Sequence, residues 1–280
     1  MIMNELEFPE IIRIRPRRGW AGINFREIWQ YRELLGFLIW REITVRYKQT
    51  LLGASWAVLQ PVVLMVILSV VFGRFLRVDT QGLPYPIFSY SALVAWTYFS
   101  QAMRRSTESV VANSHLVTKI YFPRLIIPIG STLSGLVDFG IALVVLLGMY
   151  LYYGIAIRLT IIFLPLFLLM AAALAFGVGS WLSALNVRYR DINYVVPLLT
   201  QVWMFASPVA YSVNQVPENL RLLYSLNPMV CVVQGFRWSL LGQVRPTGAM
   251  LGAAIVIITV VLVSGVYYFR KMETEFADVI

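Results

Sequence analysis

Five stretches of this chain run free of charged side chains for long enough to cross a bilayer: residues 49–73, 80–103, 159–187, 192–217 and 246–269. A helix needs about 20 mainly apolar residues to span the hydrocarbon core. A sixth stretch, 125–157, is interrupted only by Asp138. Of the 280 residues, 59% are hydrophobic and 13% charged, against roughly 25% charged in soluble domains. One water-soluble core cannot hide six such segments, so the bilayer must serve as solvent for much of the chain. Inside hydrocarbon every backbone group needs an internal partner, which leaves helices as the natural form for these runs. The expected fold is therefore an all-α polytopic membrane protein with six transmembrane helices. The second helix begins near Ile87, because Gln81-Gly-Leu-Pro-Tyr-Pro86 reads as a turn. It continues past Arg104 and Arg105 into the cytoplasm.

A shorter apolar run, 222–236, lies between Arg221 and Arg237 and contains Asn227-Pro228. At 15 residues it fits short external re-entrant helices between spans five and six better than a crossing. A seventh span is the alternative, and would place the C-terminus outside. The distribution of basic residues argues for six. With the N-terminus inside, 17 of the 23 Lys and Arg fall in cytoplasmic segments and 6 outside, as the positive-inside rule requires. The net charge of +9 is thus a sign of orientation, with no nucleic acid needed to explain it. Glu5, Glu7 and Glu10 precede any apolar run, so no secretory signal is visible and both termini are expected in the cytoplasm. The expected division is a tail at 1–25, an interface helix at 26–48, a transmembrane domain at 49–270 and a second tail at 271–280. The one cysteine, Cys231, allows no intrachain disulfide.

Two cytoplasmic segments carry more than spacing. Over 26–48, helical periodicity sets Arg26, Glu33, Arg41 and Lys48 on one face and Ile28, Leu35, Leu38 and Val45 roughly opposite. Glu42 stands four residues before Arg46, an order that supports a helix. Such a helix would lie in the membrane interface with Trp29 and Trp40 at headgroup level, either as an anchor or as a lever for a cytoplasmic partner. The second segment reads Asn113-Ser-His-Leu-Val-Thr-Lys-Ile-Tyr-Phe-Pro-Arg124. Pro123 disfavours helix at Phe122, so one helix should end there and another begin. The result is a compact elbow with exposed aromatics, suited to a partner's pocket, or an ordinary loop at the interface. His115, the only histidine, has no second ligand near it and reads as a polar loop residue.

These residues carry a family resemblance. Pro84-Tyr-Pro-Ile-Phe88, Trp96-Thr-Tyr-Phe-Ser100, the run from Asn113 through Lys119-Ile-Tyr-Phe-Pro-Arg124, Arg188-Tyr-Arg-Asp-Ile192, Ser207-Pro208, Asn227-Pro228 and Phe236-Arg237 follow one another in order. The series resembles the permease subunit of ABC-2 type polysaccharide exporters from about Tyr31 to Phe269. It is most similar to those that export O-antigen, with teichoic-acid and capsule exporters close behind. The resemblance implies a homodimer of permeases in the bacterial inner membrane, joined by two separate nucleotide-binding ATPase subunits that use ATP and magnesium. It implies that 26–48 is the interface helix, and that Lys119, Tyr121, Phe122, Pro123 and Arg124 contact the ATPase. It also implies short external gate helices near 220–242 and a lipid-linked glycan as substrate. No cofactor is expected on this chain itself.

A long glycan needs a wide, wet path with weak contacts, and aromatic rings that stack on sugar faces suit it. Candidates are Tyr90, Trp96, Tyr98 and Phe99 on span two, and Trp203, Phe205 and Tyr211 on span five; helix packing and interface belts are the alternative use of such rings. Arg41, Arg46, Arg104 and Arg105 are candidates for a lipid diphosphate, or for anchoring to headgroups. Asp138 is the only acid clearly inside the membrane. Such a group invites a functional reading, while Ser134 and Ser131, one and two turns earlier, would equally suit a hydrogen-bonded structural acid. Gly248 and Gly252 form a G-x-x-x-G motif of little specificity.

Other classes fit less well. An ion-coupled secondary transporter would show broken helices in related positions and several intramembrane charges. A membrane enzyme acting on glycans would need clustered carboxylates or histidines, whereas Asp191 is flanked by arginines. No G-x-x-x-x-G-K-[ST] sequence occurs, so any ATP chemistry must come from a partner.

Overall fold

The computed structural model describes residues 25–48, 53 and 55–276. The expected tail at 1–25 lies almost wholly outside these residues, as do the start of the first charge-free run and the last four residues. All regular structure in the described residues is helical. Helix α1 is Phe25–Gln30, α2 Arg32–Lys48, α3 Ser55–Leu68, α4 Tyr85–Ala112, α5 Ser114–Lys119, α6 Ile126–Tyr153, α7 Leu164–Arg188, α8 Ile192–Phe205, α9 Glu218–Ser225, α10 Pro228–Leu241 and α11 Gly248–Met272.

Four helical stretches are long and apolar enough to cross a membrane: Ser55–Phe75, Ile126–Tyr153, Leu159–Arg188 and Gly248–Met272. Helix α4 has 28 residues and reaches about 42 Å, so it too has the length. Its serines, threonines and arginines make it more polar, because its surroundings are other helices. Tyr90, Leu93, Phe99 and Met103 are fully buried, with α3, α6, α7, α8 and α10 all against it.

The end signals are local. Helix α6 stops at Gly154, whose left-handed φ of 63° suits a residue without a Cβ. Thr247 caps α11 by accepting from the Met250 amide at 3.3 Å. Helix α3 runs on as a π-helical turn, Ser69–Phe75, where Gly73 meets the start of α4 so closely that a Cβ would lie 2.9 Å from Tyr85 Cγ.

The fifth charge-free run, 192–217, is not helical throughout. Helix α8 ends at Phe205 after 14 residues, about 21 Å. Pro208 disfavours helix at Ser207, a break that counting charges does not register. Beyond it, α9 and α10 form the expected pair of short helices. Helix α10 is almost wholly buried against α4, α7 and α11.

Tight helix contacts come from glycines. A Cβ on Gly177 of α7 would lie 2.9 Å from Leu262 Cα of α11, and one on Gly265 would strike the Gly177 carbonyl. Small residues let these two backbones touch, as membrane helices commonly do. Among the described residues, Gly248 and Gly252 have no atom within 4 Å of where a Cβ would stand, so the G-x-x-x-G motif packs against none of them.

Candidate functional site

The interface segment is two helices, broken at Tyr31, and α2 lies along α6. Leu38 is buried, while Trp29 and Trp40 are exposed. Val45, expected on the apolar face, points outward. The inward face of α2 is instead partly charged. Glu42 and Arg46 make no ion pair with one another; both reach across to α6.

Asp138 is the centre of this contact. Arg46 Nη1 of α2 and Arg105 Nη2 of α4 each donate to its Oδ2 at 2.6 Å. The Tyr47 hydroxyl donates to its other oxygen. Burial and this bond to a carboxylate hold the Tyr47 phenol above its ordinary pKa. Arg46 Nη2 also donates to Ser134 Oγ at 3.2 Å, and Arg105 Nη2 to Gln101 Oε1 at 2.7 Å. The Ser131 hydroxyl donates to one oxygen of Glu42, and the Ser134 hydroxyl to the other at 2.7 Å. Side chains of Asp138, Arg105 and Arg46 are 12%, 16% and 22% exposed. Two arginines and two carboxylates thus neutralise one another, which is how buried charge is tolerated.

This places the four arginine candidates. Arg46 and Arg105 are held by Asp138. Arg41 donates to Asn113 Oδ1 at the end of α4. Arg104 is half exposed and sits 3.5 Å from Glu108, the weak surface kind of pair. Asp138 is ion-paired and hydrogen-bonded; Ser131 and Ser134 serve Glu42 and Arg46 rather than Asp138 itself.

The aromatic candidates divide. Tyr90, Trp96, Tyr98 and Phe99 are buried inside the chain, with Tyr98 edge-on to Phe139 at 5.8 Å and Phe99 edge-on to Trp203 at 5.0 Å. Trp203 is half-buried and donates from Nε1 to Asn227 Oδ1 at 2.9 Å. Phe205 is 55% exposed. Tyr211 meets the Tyr224 hydroxyl at 2.9 Å. Tyr194, Leu198, Val202 and Phe205, spaced by four, four and three, leave one face of α8 exposed.

The non-helical turn 206–212 after α8 is held by side chains. Asn227 Nδ2 donates to the Ala206 carbonyl at 3.0 Å, Tyr85 to the Ala210 carbonyl at 2.7 Å, and the Tyr211 hydroxyl to the Phe205 carbonyl at 3.0 Å. Arg237 of α10 donates to the carbonyls of Val209 at 2.7 Å, Tyr211 at 2.9 Å and Phe88 at 3.4 Å. Its guanidinium carbon stands 3.6 Å from the centre of the Phe88 ring, a cation–π contact. Asn227 also caps α10, accepting from the Met229 amide at 3.0 Å.

At the elbow, Tyr121 is 67% exposed and Phe122 is 5% exposed. Lys119 and Ile120 face outward, and Pro123 is buried. Arg124 turns inward, donating to the Glu273 carbonyl and lying 6.0 Å from the Phe276 ring centre. Lys119 and Tyr121 are therefore available to a partner, whereas Arg124 docks against Glu273 and Phe276 beyond α11, and Phe122 and Pro123 are buried. Sequence reasoning did not single out Ile120, Tyr47, Glu42 or Gln101 as site residues; the one signal was the Glu42–Arg46 spacing.

Among the described residues, no group of three His, Cys, Asp or Glu could hold a metal ion. What remains is an α-helical integral membrane protein in which α2 is fastened to α4 and α6 and a short elbow at 119–121 is exposed. The model of the ABC-2 type transporter family matches residues 33–241, and the chain belongs to that family. It is 29% identical over 256 residues to the O-antigen export system permease protein RfbA of Myxococcus xanthus, covering 90% of this chain and 97% of that protein. A Klebsiella pneumoniae protein of the same name is 26% identical, over 89% of this chain and 95% of its own. The polysialic acid transport protein KpsM of Escherichia coli is 23% identical, over 84% and 92%.

Proposed function

We propose that this chain is the membrane permease of an ATP-driven exporter that moves O-antigen polysaccharide across the bacterial inner membrane. The observation that carries the reading is the near full-length similarity to O-antigen export permeases. Capsular polysaccharide is the second substrate class, since the polysialic acid and capsule export relatives match at lower identity.

In this reading two permeases assemble with two copies of a separate ATPase subunit, and both termini lie in the cytoplasm. Lys119, Ile120 and Tyr121 on the elbow form the contact that receives the ATPase's motion. The glycan path runs between the two permease copies, along the exposed face of α8 with Phe205 and Tyr211. Tyr90, Trp96, Tyr98 and Phe99 support that wall from behind. The anionic lipid-linked end meets Arg104, whose partner among the described residues is the surface carboxylate of Glu108.

The test is to purify the chain from native membranes, identify a stoichiometric ATPase subunit, and reconstitute the pair in proteoliposomes. ATP-dependent movement of lipid-linked O-antigen is the expected result. Absence of an ATPase partner, with polymer movement surviving ATP depletion, would overturn the exporter reading. Movement of capsular polymer alone would assign the second substrate class.

A further inference from the structure

The interface helix touches the spans along most of its length. Near its middle, Leu38 Cβ is 3.6 Å from where a Cβ would stand on Gly130 of α6. At the next turn Arg41 bonds Asn113 at the end of α4, and Glu42 takes the hydroxyls of Ser131 and Ser134 on α6. In the last turn Arg46 and Tyr47 bond Asp138, which Arg105 of α4 shares. From residue 38 to 47 these contacts cover about 14 Å of helix, and they engage two different spans.

An element built to slide has few contacts and finds new partners at each stop. Here sliding would pull Glu42 off the two serines and Arg46 off Asp138, leaving Asp138 to Arg105 alone, and a largely buried charge that loses its partner is costly. Chain continuity adds a second constraint: α4 leads directly into α5 and the elbow, and the elbow leads directly into α6. Any force applied at the elbow enters the two spans to which α2 is fastened.

We propose that α2 is bolted to α4 and α6 and moves with them as one lever, with Arg46–Asp138 as the positioning contact that keeps the lever rigid. The inference rests on the exporter reading. Asp138 then serves neither substrate nor ion. Its two arginines set the angle at which motion delivered on the cytoplasmic side reaches the spans.

A covalent bolt tests this directly. The 3.6 Å separation at residues 38 and 130 lies within the range for a disulfide. Leu38→Cys with Gly130→Cys, in a Cys231→Ala background, locks α2 to α6 when oxidised. Polymer moved per ATP hydrolysed is read in proteoliposomes containing the permease and its ATPase. Oxidation should leave this ratio unchanged in the otherwise native chain. Arg46→Gln, which leaves the Asp138–Arg105 pair neutral, should lower the ratio about tenfold, the size of a typical coupling between sites. Oxidising the cysteine pair in the Arg46→Gln chain should restore it, and Arg46→Lys should retain part of it. Transport stopped by the oxidised bolt in the native background would overturn the proposal, as would a normal ratio in Arg46→Gln or a failed rescue. If Arg46→Gln does not assemble, the bolt in the native background still decides. Absence of ATP-dependent transport by the native chain refutes the exporter reading instead, so the two failures are distinct.

Discussion

Replacing Arg237 with methionine keeps the length and apolar bulk of the side chain and removes every donor. Two of its carbonyl bonds are short, at 2.7 Å to Val209 and 2.9 Å to Tyr211. Each orphaned carbonyl costs about 1–3 kcal/mol, and loss of a desolvated cation–ring contact adds about 2 kcal/mol. Against this stands the desolvation of a buried guanidinium that has no carboxylate beside it among the described residues, several kcal/mol that methionine does not incur. The net loss is roughly 2–4 kcal/mol. For a chain of this size that lowers the apparent melting temperature by roughly 5–15 °C. Cys231, the single cysteine, is buried on the same helix, so a thiol-reactive fluorophore reports the unfolding of detergent-solubilised protein. Arg237→Lys separates geometry from charge. One ammonium cannot reach three carbonyls on two segments, so this variant should lose more than half as much as Arg237→Met. A lysine variant as stable as the native chain would refute the geometric argument. A methionine variant at or above native stability would show that desolvation outweighs the bonds.

Gly265→Leu should force α7 and α11 apart and remove most of the folded, detergent-stable protein, whereas Gly252→Leu should be silent; fluorescence-detected size-exclusion of both variants reads the difference. Asn227→Ala removes the α10 cap, worth about 1 kcal/mol, and also leaves the Ala206 carbonyl and the Trp203 indole without their partner. Its melting temperature should fall by several degrees in the Cys231 assay. Tyr121→Ala should stay within about 0.5 kcal/mol of native stability yet uncouple ATP hydrolysis from transport. Phe122→Ala should cost about 3–5 kcal/mol, and so fail in the melting assay before any coupling is read.

The spans were legible because the bilayer excludes charge, and absence of charge is a local property of sequence. The early end of α8 was not read that way, although Pro208 was in view, because a proline ends a helix without adding charge. Asp138, Arg46 and Arg105 each stood out singly. Their pairing joins positions 92 and 33 residues apart, and nothing local encodes which distant helices become neighbours. The same limit applies to glycine: a motif at 248–252 is visible in sequence, while Gly177 and Gly265 are matched only by the packing of α7 on α11. Aromatic spacing on α4 marked a face without saying whether it meets substrate or other helices. There the folded chain buries Tyr90 and Phe99 completely.

The turn after α8 carries a consequence for where such a break can sit. Non-helical backbone in hydrocarbon is tolerated only when something replaces the water it would otherwise bind. Here the carbonyls of Phe205, Ala206, Val209, Ala210 and Tyr211 each have a side-chain donor, from Tyr211, Asn227, Arg237 and Tyr85. These four residues stand in for solvent along the turn. A helix that stops short therefore need not drag lipid headgroups or a water column down to its end.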